Sequence, residues 1–157
     1  MSRIHPEEVA APEVSFKLNG QEVQGRADES LLEAARRCGV EVPHLCYKPG
    51  LRPDGNCRAC VVEIKDERTL APSCCRAPTP GMEVTTDSER AVRAQKMVLE
   101  LLLSDTIKAA QPNQPLPHSP YRPDSELDLW AERMGIRATR FAPREQPAQR
   151  SEEHTSE

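Results

Sequence analysis

Four cysteines, Cys46, Cys57, Cys60 and Cys74, follow one another at the spacing C-x10-C-x2-C-x13-C. Nothing else in the sequence restricts the fold as strongly. Four converging thiolates hold a tetrahedral zinc, a [2Fe–2S] cluster or a [4Fe–4S] cluster. Structural zinc sites commonly use two short cysteine knuckles, and here only Cys57 and Cys60 form one. The closely spaced cysteine triplet of bacterial-type [4Fe–4S] sites is absent. A [2Fe–2S] rhomb suits one long loop plus a cysteine from elsewhere. Gly50, Gly55 and Ala59 are small enough to let backbone approach sulfur, and backbone N–H groups there help set a cluster's potential. Arg58 lies between two candidate ligands. It reads either as a positive charge beside an anionic cluster or as a solvated surface arginine.

The elements around the cysteines are legible from periodicity. Val14, Phe16 and Leu18 alternate with polar residues, as in a half-buried strand. Asn19-Gly20 is a strong hairpin turn, after which "QEVQGR" returns as a second strand. Ser30 and Glu33 form a capping box that opens a helix, and Gly39 suits its stop. Leu31, Leu32, Ala35 and Cys38 share one face of it, so Cys38 is expected to be a core thiol. "CVVEIKD" reads as a third strand, followed by a turn into "TLAPS", and "GMEVTT" as a last short strand. Thr86 and Glu89 make a second capping box at the head of a long helix. Ala91, Ala94, Val98, Leu101 and Leu102 line its apolar face, widened by Leu99 and Leu103. The order of hairpin, helix, cysteine loop and strand is that of an α+β fold, the β-grasp ferredoxin-like domain.

Composition narrows the function classes. The net charge is only −4, which argues against a general nucleic-acid binder. No run approaches the roughly 18 apolar residues that a membrane span needs, and the N-terminus has no apolar signal core. The expected location is cytoplasmic. There the six cysteines stay reduced, and ligand roles outrank disulfides. No nucleophile–base pair, phosphate loop or pair of catalytic carboxylates stands out, so no catalytic residue is expected in the chain.

"PHLCYKPGLRPDGNCRACVVEI", followed by "APSC" and "PGMEV", resembles the N-terminal [2Fe–2S] domain of a group of electron-transfer subunits. The group includes the large iron–sulfur subunit of NADH:quinone oxidoreductase, the diaphorase subunit of NAD-linked hydrogenases, and the alpha subunit of NAD-dependent formate dehydrogenases. The resemblance covers roughly residues 13–105. It implies a [2Fe–2S] cofactor held by Cys46, Cys57, Cys60 and Cys74. It favours Cys74 over Cys75 as the fourth ligand, because Ser73 precedes it and Gly81-Met82 follows seven residues on. Cys75 is then a small buried neighbour. The resemblance also implies that Cys46 and Cys57 share one iron, and Cys60 and Cys74 the other.

The remainder sets the expected organisation. Residues 1–12 read as a disordered tail, 13–87 as the [2Fe–2S] β-grasp domain, and 88–106 as a helix packing on that domain or on a partner. Residues 107–149 read as a Pro-rich connector with a short helix near 124–134, anchored by Leu127, Trp130 and Met134. "QPNQPLPHSPYRP" carries five prolines in thirteen residues and is expected to be extended. The NADH:quinone oxidoreductase subunit carries a His-x3-Cys-x2-Cys-x5-Cys motif after the helix. Here no cysteine follows Cys75, and His118 reads as a solvent-facing linker histidine. The segment from Asp124 resembles the connector of formate dehydrogenase alpha subunits more. The implied function is a one-electron relay in such a chain. The implied partners are further iron–sulfur domains of the parent chain and a flavin- and NAD-binding subunit, with no nucleic acid and no membrane insertion. The alternatives are the same relay in a quinone oxidoreductase or hydrogenase chain, or a zinc-stabilised module. The last eight residues, "RSEEHTSE", match a translation of a common sequencing adapter. Residues 150–157 are therefore expected to be an artefact, and the chain a truncated N-terminal piece.

Overall fold

The computed structural model describes residues 11–106 and 125–142. The expected tail up to residue 10, the proline-rich run and the terminal eight residues lie outside them. Residues as far as Leu99 form one compact unit and those from Glu100 a second.

The first unit is built on a mixed five-stranded sheet of order β2-β1-β5-β3-β4. β1 (Glu13–Leu18) and β2 (Gln21–Arg26) pair antiparallel in register from Glu13 with Arg26 to Leu18 with Gln21. The turn between them has Asn19 at φ 50° and Gly20 at φ 82°. Two consecutive positive φ angles define the tight hairpin turn whose twist matches the strands. Asn19 is also held from across the sheet: its Oδ1 accepts from Thr86 N at 2.8 Å, and its Nδ2 donates to Thr86 Oγ1 at 2.9 Å.

Val14, Phe16 and Leu18 are buried, as their alternation predicts. Phe16 and Leu18 join α1 (Leu31–Arg37) in a core shared with Leu31, Leu32, Ala35, Val62, Ile64 and Val84. Burying each large apolar side chain is worth about 1.5–3 kcal/mol, so this cluster holds the sheet and helix together. α1 opens with the expected capping box between Ser30 and Glu33. Cys38 is corrected: it caps the helix C-terminus and is exposed. Positions 31, 32 and 35 turn inward, but the helix ends before its face reaches Cys38.

β5 (Glu83–Thr85) runs parallel to β1 and antiparallel to β3 (Val61–Ile64). β4 (Ala71–Pro72) adds an antiparallel edge to β3 inside the segment read as a turn. Proline, which has no N–H to give, is tolerated at such an edge.

α2 (Glu89–Thr106) begins differently from the expected Thr86–Glu89 box. Ser88 Oγ accepts from Ala91 N at 3.2 Å, while Thr86 is engaged with Asn19. Its inward row is Ala91, Gln95, Leu99 and Leu103, all buried; Leu101, expected inside, is 44% exposed. Gln95 sits inside because its Nε2 donates to the carbonyls of Val61, at 2.8 Å, and Thr86, at 3.3 Å. A hydrophobic pattern cannot show a buried amide of this kind.

In the second unit, α3 (Glu126–Arg133) is capped by Ser125, whose side chain accepts from Asp128 N. Trp130 is buried beneath the Arg133 guanidinium, 5.1 Å from its ring centre. Leu127 and Met134 are only partly covered. Thr139 Oγ1 donates to Glu100 O at 3.2 Å, and Arg140 pairs with the Glu100 carboxylate at 2.8 Å.

Candidate metal centre

The long loop from α1 to β3 carries Cys46 and Cys57, and its path is fixed from inside. Tyr47 is buried and donates to Glu33 Oε1 at 2.7 Å. The other oxygen of Glu33 accepts from Ser30 N at 2.8 Å and from Ser30 Oγ at 2.9 Å. One carboxylate thus closes the helix cap and anchors the residue next to Cys46. Burial raises Glu33, but the Ser30 amide and the Tyr47 hydroxyl outweigh it and hold the carboxyl below its ordinary value. The same arrangement, with burial first, pushes the Tyr47 phenol up to about 12. His44 Nδ1 donates to Val42 O at 2.9 Å, and its ring meets Tyr47 edge-on at 5.9 Å.

Beyond Tyr47 the loop turns through left-handed backbone at Gly55, φ 66°, and Arg58, φ 59°. The latter conformation is uncommon for a residue with a side chain. Arg58 itself is exposed.

Cys60 and Cys74 stand on firmer structure. Cys60 immediately precedes β3 and its carbonyl accepts from Ser73 N at 3.1 Å and Ser73 Oγ at 2.7 Å. The segment carrying Cys74 also caps α1: Leu31 N donates to Arg76 O at 2.7 Å and Leu32 N to Ser73 O at 3.1 Å. These bonds satisfy helix N–H groups that would otherwise lack a partner. Both thiols are buried, whereas those of Cys46 and Cys57 are partly exposed. Cys75 is corrected as well: it is exposed, not buried.

The Cys46 and Cys57 thiols interact with each other, and the Cys74 thiol with those of both Cys60 and Cys75, the latter at 3.5 Å. Among the described residues, no three or more His, Cys, Asp or Glu side chains are grouped so as to hold a metal ion.

Electrostatics differ between the pairs. Burial raises Cys46, but the amides of Cys57 and Asn56 and the Cys57 thiol prevail, and its pKa is lowered. Cys57 is raised, first by burial and then by the Cys46 thiol, although the amides of Ala59, Cys46 and Leu45 act to lower it. Cys74 is raised strongly, first by burial and then by Cys60. N–H groups aimed at sulfur favour thiolates, and bound iron would supply the positive charge that a buried thiolate pair needs. The donor set therefore fits an iron–sulfur cluster: soft thiolates in pairs, with amides directed at the outer pair.

A β-grasp sheet with a cysteine-bearing loop folded against one helix defines a ferredoxin-type domain. The sequence matches the family described as "2Fe-2S iron-sulfur cluster binding domain" over residues 11–89. The chain belongs to that family, and its cofactor is a [2Fe–2S] cluster. It is 39% identical over 93 residues to the mitochondrial NADH-ubiquinone oxidoreductase 78 kDa subunit of Candida albicans. It is 34% identical over 137 residues to the NADP-reducing hydrogenase subunit HndD of Solidesulfovibrio fructosivorans. These matches take in 59% and 82% of this chain but only 13% and 22% of the relatives. The crystal structure of an NAD+-reducing [NiFe]-hydrogenase in the H2-reduced state superposes with a TM-score of 0.71 at 30% identity, over 87% of this chain and 55% of that one. Among the described residues, no helix is long and apolar enough to cross a membrane.

Proposed function

We propose that this chain is a one-electron relay, in which Cys46 and Cys57 hold one iron of the cluster and Cys60 and Cys74 the other. The observation that carries this reading is the match to the [2Fe–2S] family over residues 11–89, and the contacts of Cys46 with Cys57 and of Cys60 with Cys74 support it. A tetrahedral zinc gathers four donors around one point, whereas a two-iron rhomb takes two thiolates at each end. The cluster supplies reversible uptake of one electron. The chain holds the four sulfurs, directs the Asn56, Cys57 and Ala59 amides at the outer pair, and keeps Cys60 and Cys74 out of water. Each of these tunes potential. The partly exposed outer pair is the side from which an electron enters or leaves.

As the parent enzyme we propose the alpha subunit of a NAD-linked formate dehydrogenase, a cytoplasmic complex. Its further iron–sulfur domains and a flavin- and NAD-binding subunit would be the partners. The sequence after α2 supports this, since it lacks the cysteine-rich motif of the quinone oxidoreductase subunit and resembles the formate dehydrogenase connector. The similarity to the hydrogenase subunit HndD reaches well past the matched domain and favours, as second reading, the diaphorase chain of a NAD(P)-linked hydrogenase. Genomic sequence beyond Gln149 separates the two: a molybdopterin domain downstream marks the first.

The relay is tested on anaerobically purified protein. Iron and acid-labile sulfide in equal amounts, with a reduced-state EPR signal, are expected. Cys60→Ser should abolish or sharply weaken that signal, and Cys38→Ser should leave it intact. Stoichiometric zinc without sulfide, or an unchanged Cys60→Ser signal, overturns the assignment.

A further inference from the structure

One thiol beside the centre has no part in the relay as described. Cys75 Sγ lies 3.5 Å from Cys74 Sγ. Adjacent residues of an extended chain point to opposite faces, so this proximity requires a turn. The turn is closed by Cys75 N, which donates to Pro72 O at 3.1 Å.

The loop that carries the outer thiols leaves room for the extra sulfur. A Cβ on Gly55 would lie 2.8 Å from Cys75 Sγ, closer than real contacts allow. The Cys75 thiol also points at Pro53 O, 3.9 Å away. Cys75 is therefore held between the segment bearing the fourth thiol and the loop bearing the first two. It is also exposed.

We propose that Cys75 is a reserve ligand: when Cys74 is not bound to iron, the Cys75 thiolate takes its place and the cluster persists on four cysteines. This rests on the reading in which Cys46, Cys57, Cys60 and Cys74 hold the cluster. In the exchange one iron–sulfur bond, to Cys74, breaks and one, to Cys75, forms. The proton leaving Cys75 passes to the released Cys74 thiolate or to solvent, and no oxidation state changes. Only the fourth position is so backed, because no cysteine adjoins Cys46, Cys57 or Cys60 in the sequence.

The full chain, purified without oxygen, decides the matter through iron and sulfide content, visible absorption and reduced-state EPR. Cys75→Ala is expected to match the wild type. Cys74→Ala and the near-isosteric Cys74→Ser should both retain most of their cluster, with thiolate-type absorption and a shifted EPR signal. Cys60→Ala, which has no spare, should lose it. Cys74→Ala combined with Cys75→Ala should hold roughly tenfold less than Cys74→Ala alone. Cys74→Ala and Cys74→Ser as empty as Cys60→Ala would overturn the proposal. So would a double variant as full as the single one, or oxygen-type ligation in Cys74→Ser. Loss of the cluster in Cys75→Ala alone would overturn it together with the choice of Cys74 as native ligand. A wild type without iron and sulfide would instead bring down the underlying relay reading.

Discussion

The inner and outer thiol pairs are built on different kinds of structure. Cys60 and Cys74 adjoin strands, are buried, and sit on segments tied to β3 and to the head of α1 by backbone hydrogen bonds. Cys46 and Cys57 sit on an irregular loop, partly exposed, shaped by Tyr47 and by left-handed backbone at Gly50, Gly55 and Arg58. The inner half of the site is made by the fold itself. On the proposed reading the outer half would lean on the metal, since a loop with few ladder bonds opens at low cost unless something else holds it.

The most drastic way to break this contrast is to strip the iron with a chelator. Amide exchange is then expected to accelerate greatly over residues 44–58, with β1, β2 and the sheet-facing turns of α2 still protected; equal loss everywhere would erase the distinction. Next in size, Gln95→Leu leaves the Val61 and Thr86 carbonyls without their amide partner. Denaturant unfolding should show a loss of about 1–3 kcal/mol, with the cluster's absorption unaltered, because this change strikes the scaffold alone. Gly55→Ala strikes the loop alone. Left-handed backbone costs a residue with a Cβ about 1–2 kcal/mol, and the new methyl meets Cys75, so the cluster should be released faster at an unchanged sheet stability.

The smallest expected effect is that of Tyr47→Phe, about 1 kcal/mol for one hydrogen bond. It also has a pH signature. Glu33 is held below its ordinary value in the folded state, so its stabilising contribution is present above the unfolded carboxylate pKa and fades as pH falls through the folded one. Removing the Tyr47 hydroxyl raises Glu33 towards its ordinary value, and the acid side of the stability profile of Tyr47→Phe should be flatter than that of the wild type.

How far the sequence foretold this follows the same divide between local and distant causes. The Asn19-Gly20 turn, the Ser30–Glu33 box and the alternation of β1 are set by neighbours a few residues apart, and they could be read. Gln95 could not: its partners lie 34 and 9 residues away, and its polarity argues for the surface until those carbonyls are seen. Thr86 looked like a helix cap because its distant partner Asn19 was invisible. β4 was missed because two residues make a strand only when β3 lies beside them. Cys38 and Cys75 were misplaced because a thiol carries no polarity signal of its own. The loop's spacing gave the type of centre, but not which thiol lies at the surface and which beneath it.

Asn-Gly pairs age chemically, because the amide nitrogen of the glycine can attack the asparagine carboxamide and expel ammonia, one reason asparagine counts as thermolabile. In this chain the carboxamide of Asn19 is gripped by Thr86 from 67 positions along the sequence. The grip restrains the carboxamide for as long as the strand ladder stands. Slow conversion of Asn19 to aspartate or isoaspartate would then act as a covalent record of how often that end of the molecule has come undone.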